Sequence, residues 1–250
     1  MVLVAHEDRA GRGTRDRVRV AIGVMARAPS SGGKTRLAPH LSESRLRALR
    51  RALLADTLAT SVPASNLRPH QQPPSPPREV IVFVEPGDAS AEVQALSTVP
   101  LACVPQVEGD LGSRMRAAFT QLLQTLNYDA AILVGSDIPL LTADHLDEAR
   151  ETLATTGGVV LGPADDGGYY LIGMRTVHTE LFEGVAWGTS SVLTDTLRIA
   201  EHAGIEARLI RASYDLDTIE DLRRLESDLR AASPDLAPHV RAWLSTGGAG

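Results

Sequence analysis

The chain of 250 residues holds a single cysteine, which excludes an internal disulfide framework and a cysteine-rich zinc site. That residue, Cys103, lies in the apolar run Leu101-Ala-Cys-Val104 and reads as a buried structural thiol. Basic charge is also short. Lys and Arg total 25 against 31 Asp and Glu, a net charge of −6, whereas a nucleic-acid backbone binder needs a basic footprint. No apolar stretch approaches the roughly 20 residues of a membrane span. The opening Met1-Val-Leu-Val-Ala5 is shorter than a signal-peptide core and is followed by acids, so a soluble cytoplasmic protein without a membrane partner is the expectation. His40, His145, His178 and His202 fall in separate elements without ligand spacing, and no Ser/His/Asp order stands out. What these absences leave is chemistry resting on carboxylates, glycine loops and a metal ion.

Hydrophobic residues make up 43% of the chain, enough for one large α/β domain or two small ones. Residues 1–17 are polar and aperiodic and read as a disordered arm. Short apolar runs predict strands at 18–25, 79–84, 101–104, 130–134, 158–161, 169–174 and 207–210. Apolar residues at helical spacing predict helices at 42–60, 89–96, 111–126, 142–153, 190–202 and 218–229. Pro73, Pro74, Pro76 and Pro77 make 66–78 a surface loop, because proline can continue neither a helix nor a central strand. Strands alternate with helices throughout. That pattern predicts a three-layer α/β/α arrangement around a mixed, mainly parallel sheet. No repeat or linker divides 18–243, which reads as one domain followed by a flexible tail at 244–250.

Glycines and acids gather at the ends of the apolar runs, and in open α/β sheets ligands bind outside the carboxyl ends of the strands. Directly after the first strand, Ala28-Pro-Ser-Ser-Gly-Gly-Lys-Thr-Arg36 forms a flexible loop whose backbone N–H groups, with Arg27, Lys34 and Arg36, suit phosphate. Ala28 to Thr35 also satisfies a relaxed P-loop pattern, which would make Asp137 its metal-holding acid. Pro39 counts against that reading, since a P-loop lysine opens a long helix that a proline five residues later would break. Gly135-Ser-Asp-Ile-Pro139 ends another strand. Ser136 there is a candidate phosphate contact, and Asp137 is a hard oxygen ligand for magnesium unless it caps the next helix. Asp165-Asp-Gly-Gly-Tyr169 offers Asp166 and a close backbone approach at Gly167 and Gly168, and it reads equally as a tight turn. In Tyr214-Asp-Leu-Asp-Thr218, Asp217 is a second metal ligand or a helix cap, and Thr218 is the other candidate cap. Asp110 and Gly112 start a helix whose N–H groups face outward, with capping by Asp110 as the simple reading. Trp187 and Thr189, in a chain that is 4% aromatic, could line a substrate pocket with Tyr169 or pack in the core.

The order Lys34-Thr-Arg-Leu-Ala-Pro39, Gly109-Asp-Leu-Gly112, Gly135-Ser-Asp-Ile-Pro139, Gly162 to Gly173, Trp187-x-Thr189 and Asp215-x-Asp-Thr218 resembles one family over roughly residues 18–230. It is the family of GT-A-type transferases associated with radical-SAM and selenodomain proteins, some described as arsenosugar-biosynthesis glycosyltransferases. More distantly the chain is similar to 2-phospho-L-lactate guanylyltransferase and molybdenum-cofactor guanylyltransferase. The resemblance implies a nucleotide-diphospho-sugar transferase fold, GT-A and Rossmann-like. It implies a nucleotide sugar or nucleoside triphosphate as donor, a small-molecule acceptor, and Mg2+ or Mn2+. By position, Lys34 and Arg36 would contact phosphates, Asp137 and Asp217 would hold the metal, and Asp166, Gly167 and Gly168 would shape the pocket. The first loop departs from the family, with Ala28-Pro-Ser-Ser-Gly-Gly33 in place of a more compact segment.

The sequence therefore points to a magnesium-dependent transferase with a nucleotide-activated donor, glycosyl transfer being the leading reaction. Lys34 would stabilise the leaving diphosphate, and Asp166 would orient or deprotonate the acceptor. Nucleotidyl transfer with release of pyrophosphate is the alternative on the same fold. A P-loop NTPase and a non-catalytic nucleotide sensor stand behind it.

Overall fold

Apolar runs rich in Val, Ile and Ala form seven strands among the described residues: β1 (Val20–Arg27), β2 (Glu79–Glu85), β3 (Ala102–Pro105), β4 (Ala130–Gly135), β5 (Val159–Pro163), β6 (Tyr169–Met174) and β7 (Ala207–Leu209). The computed structural model describes residues 18–62 and 79–247. The expected N-terminal arm, the Pro-rich loop and residues 248–250 of the expected tail lie outside them. The helices are α1 (Glu43–Ser61), α2 (Ser90–Gln94), α3 (Leu111–Phe119), α4 (Ala143–Thr155), α5 (Val192–His202), α6 (Ile219–Ala231) and α7 (Pro238–Ser245).

The strands lie in one sheet in the order β3-β2-β1-β4-β6-β5-β7. Neighbours pair in parallel except for β6, which runs antiparallel to both β4 and β5. This is the expected α/β fold with a mixed, mostly parallel sheet. Alternation along β1 shows why both faces must be covered. Val20, Ile22 and Val24 face Leu54 and Leu58 of α1 and Leu146 of α4. Ala21 joins the opposite layer, with Phe119 of α3 and Ala200 of α5. Gly23 on β1 leaves no room for a methyl group, since a Cβ there would stand 2.4 Å from the Leu133 side chain.

The sequence reading did not anticipate α7, and its helix runs to Ser245 inside the expected tail. The apolar pattern of α7 is short, and its cap is supplied from elsewhere. Asp56, buried on α1, accepts from the backbone N–H of His239 at 3.0 Å and of Val240 at 2.9 Å. Those are two of the donors that a helix start leaves unpaired, Pro238 having none to offer. Val240 and Trp243 then pack with Leu46 and Leu49 of α1 and Leu222 and Leu225 of α6 in a third apolar cluster. The expected helix at 111–126 is α3 followed by a π-helical segment, Thr120–Thr125.

The chain runs from β1 to β2 and β3 on one side, then returns to place β4 on the other side of β1. The order of strands therefore reverses between β1 and β4. Main chains diverge at such a switch point and open a crevice at the carboxyl ends of the strands.

Candidate active site

A cavity of about 470 Å³ opens at that crevice, within the range of small-molecule sites. Lys34 is part of its lining. The loop after β1 makes a 3-10 turn, Pro29–Ser31, and reaches Lys34 in the left-handed conformation, φ 59°. That turn directs the side chain inward, where it is 4% exposed. Lys34 Nζ donates to Asp137 Oδ2 at 2.7 Å and to Asp217 Oδ1 at 2.9 Å. Burial by itself would favour loss of the proton, but the two carboxylates outweigh it and hold the Lys34 pKa above its ordinary value.

Each acid is free for this role because another residue caps the helix that follows it. Thr142 is the N-cap of α4, and Thr218 caps α6, accepting from Asp221 N. Ser136 stands beside Asp137 on the cavity wall. Asp215, which sequence reasoning noted without assigning it to the site, also lines the cavity. Burial, then the charges of Asp166 and Asp137, push its pKa up to about 7 against a weaker pull from Lys34.

This shift has a measurable consequence. Below the unfolded carboxylate pKa of about 4, both states hold the proton and the group contributes nothing. As pH rises towards 7, the unfolded chain releases the proton while the folded chain retains it, so the folded state loses stability across that window. Asp215→Asn removes the penalty. The variant is expected to be more stable than the parent by about 4 kcal/mol near pH 8 and nearly indistinguishable from it near pH 4. Chemical denaturation at both pH values checks this, and an equal change at both would contradict it.

The β5–β6 connection is both a turn and a wall of the cavity. Asp166 Oδ1 accepts from Gly168 N at 2.8 Å, and Asp166 and Gly168 face the cavity. Gly167 does not line it. It adopts φ +89° with its Cα against the segment before α5, where a Cβ would fall 2.1 Å from the Ser190 carbonyl oxygen. Gly167→Ala is therefore expected to cost about 2–3 kcal/mol of stability, through backbone strain and the clash together. A urea unfolding curve measures it, and a loss below about 0.5 kcal/mol would show that the turn relaxes freely. Trp187 and Thr189 complete this side, with the Trp187 ring edge-on to Tyr169 at 6.4 Å. Trp187 also packs on the start of α3, where Gly112 has no space for a side chain. It therefore both lines the cavity and packs.

Of the residues expected at the site, Arg27, Lys34, Ser136, Asp137, Asp166, Gly168, Tyr169, Trp187, Thr189 and Asp217 line this one cavity. Arg36, Asp110, Gly112 and Gly167 do not. The turn that buries Lys34 leaves Arg36 exposed in the following 3-10 turn. Asp110 caps α3, accepting from Ser113 N at 2.8 Å. Arg27 faces the cavity but is paired with Glu85. The long helix that a P-loop lysine opens is absent, because a single 3-10 turn, Thr35–Leu37, follows Lys34 and α1 begins at Glu43.

Sequence reasoning missed Arg50, Glu85, Gln106 and Arg114, which also line the cavity. Arg50, buried on α1, braces the Lys34 loop by donating to the Pro29 carbonyl at 2.9 Å and the Gly33 carbonyl at 3.0 Å. Nothing in its helical surroundings marks it. Glu85 did carry a signal, since it ends an apolar strand.

Among the described residues, no three His, Cys, Asp or Glu side chains are grouped to hold a metal ion by themselves, and no helix is long and apolar enough to cross a membrane. Two carboxylate oxygens do converge on one cationic atom, the Lys34 ammonium. That donor set fits magnesium, which binds through one or two carboxylates and takes its remaining ligands from phosphates and water.

Comparison with known proteins agrees with this architecture. Residues 70–189 match a family described as an uncharacterised protein conserved in bacteria, DUF2064. A search of curated proteins finds no match. The fold is similar to that of a candidate nucleotide-diphospho-sugar transferase from Desulfovibrio desulfuricans G20, with 26% identity, a TM-score of 0.77, and coverage of 89% of this chain and 94% of that one. It is also similar to 4-diphosphocytidyl-2C-methyl-D-erythritol synthase from Anaerococcus prevotii DSM 20548, with 12% identity, a TM-score of 0.54 and coverage of 86% and 97%. A CMP:2-keto-3-deoxy-manno-octonic acid synthetase in complex with CTP matches at 12% identity and a TM-score of 0.51, over 85% of this chain and 99% of the other.

Proposed function

We propose that the protein is a transferase acting on a nucleotide-activated donor, dependent on Mg2+ or Mn2+, and that its reaction is glycosyl transfer from a nucleotide-diphospho-sugar to a small-molecule acceptor. The observation that carries this reading is the buried Lys34 ammonium held between Asp137 and Asp217 at the switch point of the sheet. Two carboxylates that converge on one cation position, filled here by a lysine whose stem is long enough to meet a phosphate instead, suit a diphosphate leaving group. The fold shared with a candidate nucleotide-diphospho-sugar transferase supports it.

Asp137 and Asp217 would hold the metal, which when bound neutralises charge on the diphosphate. Its binding requires Lys34 to leave their oxygens. The lysine stem can carry the ammonium to a phosphate oxygen, where it stabilises the negative charge that grows as the sugar–oxygen bond breaks. The nucleoside diphosphate departs with the bonding electron pair. The acceptor hydroxyl forms the new bond at the sugar carbon, and Asp166, on the β6 side of the cavity, receives its proton. Trp187 and Tyr169 supply an apolar wall there that limits access of water.

Nucleotidyl transfer is a second reading, favoured by the fold shared with the two cytidine-linked synthases. The same lysine and acids would then serve a triphosphate, and pyrophosphate would leave. The deciding experiment incubates the protein and magnesium with nucleotide sugars and nucleoside triphosphates in the presence of candidate acceptors. Release of a nucleoside diphosphate supports glycosyl transfer, and release of pyrophosphate overturns it in favour of nucleotidyl transfer. Binding without turnover across a broad acceptor panel would overturn both in favour of a nucleotide sensor.

A further inference from the structure

On the β2 side of β1, away from the acids that hold Lys34, the cavity wall has a second polar group. Glu85 ends β2, Arg27 ends β1, Gln106 follows β3 and Arg114 lies in the first turn of α3. Glu85 Oε2 accepts from Arg27 Nη2 at 3.1 Å and from Arg114 Nη1 at 2.6 Å. Arg114 is anchored in turn, since its Nε donates to the Gly109 carbonyl at 3.0 Å. The amide nitrogen of Gln106 donates to the carbonyls of Ala26 at 3.1 Å and Phe83 at 2.8 Å.

This arrangement spends some hydrogen-bonding groups and leaves others open. Among the described residues nothing donates to Glu85 Oε1 or to Gln106 Oε1. The amide orientation of Gln106 is set by its two carbonyl partners, so its oxygen is the atom left over. Each guanidinium has five N–H groups, and only some are engaged. The wall therefore offers two open acceptors flanked by charged donors. Burial works against the charge on Glu85, but Arg27 and Arg114 outweigh it and hold the carboxyl below its ordinary pKa. At neutral pH Glu85 accepts hydrogen bonds and donates none.

We propose that this wall is the base subsite for the donor nucleotide and that Glu85 and Gln106 select guanine. The inference rests on the transferase reading, which places the phosphates at Lys34 and the acceptor beside Asp166. The same cavity is also lined by the apolar side chains of Met25, Leu111 and Met115, which suit the flat face of a base. Guanine carries a carbonyl, a ring N–H and an amino group in sequence along one edge. The carbonyl takes a guanidinium donor, and the two adjacent donors meet the two open acceptors. Adenine and cytosine present one amino group beside a ring nitrogen lone pair, and uracil presents one N–H between two carbonyls. Each leaves one of the acceptors unpaired once the base has covered it and excluded its water, and that lost hydrogen bond is where discrimination arises.

The test titrates the protein, in magnesium, with GDP, IDP, UDP, CDP and ADP, using calorimetry or the fluorescence of Trp187 in the cavity wall. GDP is expected to bind about tenfold or more tightly than UDP, CDP and ADP. IDP, which lacks the amino group, is expected to fall between GDP and the others. Glu85→Gln, isosteric but uncharged, is expected to weaken GDP by about tenfold to a hundredfold while changing CDP and ADP little. Equal binding of all the diphosphates, or an equal loss for all of them in Glu85→Gln, overturns the guanine assignment and leaves the transferase reading standing. Failure of every diphosphate to bind overturns both.

Discussion

Asp137→Asn is expected to lower turnover by about 10²–10³-fold while leaving the fold intact. The amide keeps the shape of the side chain and one oxygen, but it removes one of the two carboxylates that, among the described residues, converge on the cation position. The remaining partner, Asp217, still pairs with Lys34, so the buried ammonium is not left bare and stability should change little. The loss should fall on kcat, because the missing charge counts most when the diphosphate departs, and the divalent concentration giving half-maximal rate should rise. Steady-state rates across a magnesium series, with a melting curve as control, provide the measurement. Normal turnover at the parent's magnesium requirement would show that Asp137 holds no metal.

Lys34→Met is expected to act in two directions at once. The lysine competes with a divalent ion for the same pair of oxygens, so removing its charge should tighten Mn2+ binding to the nucleotide-free protein by about tenfold or more. The same change removes the group that meets the departing phosphate, and turnover should fall by about 10²–10³-fold. Methionine retains most of the apolar stem, which limits the packing loss. It also leaves Asp137 and Asp217 without a counter-ion, so the melting temperature in chelator should fall and recover on addition of the metal. Calorimetric titration with Mn2+ separates these effects. Unchanged or weaker metal binding would show that the two aspartates are a structural partner for Lys34 and nothing more. A tighter metal site coupled to a lost reaction is the pattern that a simple stability defect cannot produce.

Much of the architecture was legible because strands and helices report themselves locally. Each of the seven strands coincides with an apolar run, and α1, α3, α4, α5 and α6 follow apolar spacing, with Asp110 and Thr218 visible beforehand as candidate caps of α3 and α6. By contrast, α7 was hidden. Its cap comes from Asp56 on α1, and its apolar face makes sense only against α1 and α6. The antiparallel course of β6 was half legible, since Asp165-Asp-Gly-Gly168 carries a turn signal, but no local pattern states which neighbours a strand will take.

The candidate site divides in the same way. Residue type and position at strand ends were enough to nominate Lys34, Asp137, Asp166 and Asp217, because glycines and acids after apolar runs have few uses inside a core. Arg36 was nominated by the same logic and lies outside the cavity, because one left-handed residue decides which of two neighbouring cations turns inward. The contacts of Lys34 span 103 and 183 residues of chain, those of Glu85 with Arg27 span 58, and the raised pKa of Asp215 depends on its burial and on acids from other loops. By itself the sequence determined the class of fold, the elements and the kinds of group available for chemistry, since burial periodicity and turn preference act over a few residues. Only the tertiary structure decided which charges meet, which proton is held and which acceptors stay open, because Coulomb and hydrogen-bond energies depend on distances through space between residues far apart in the chain.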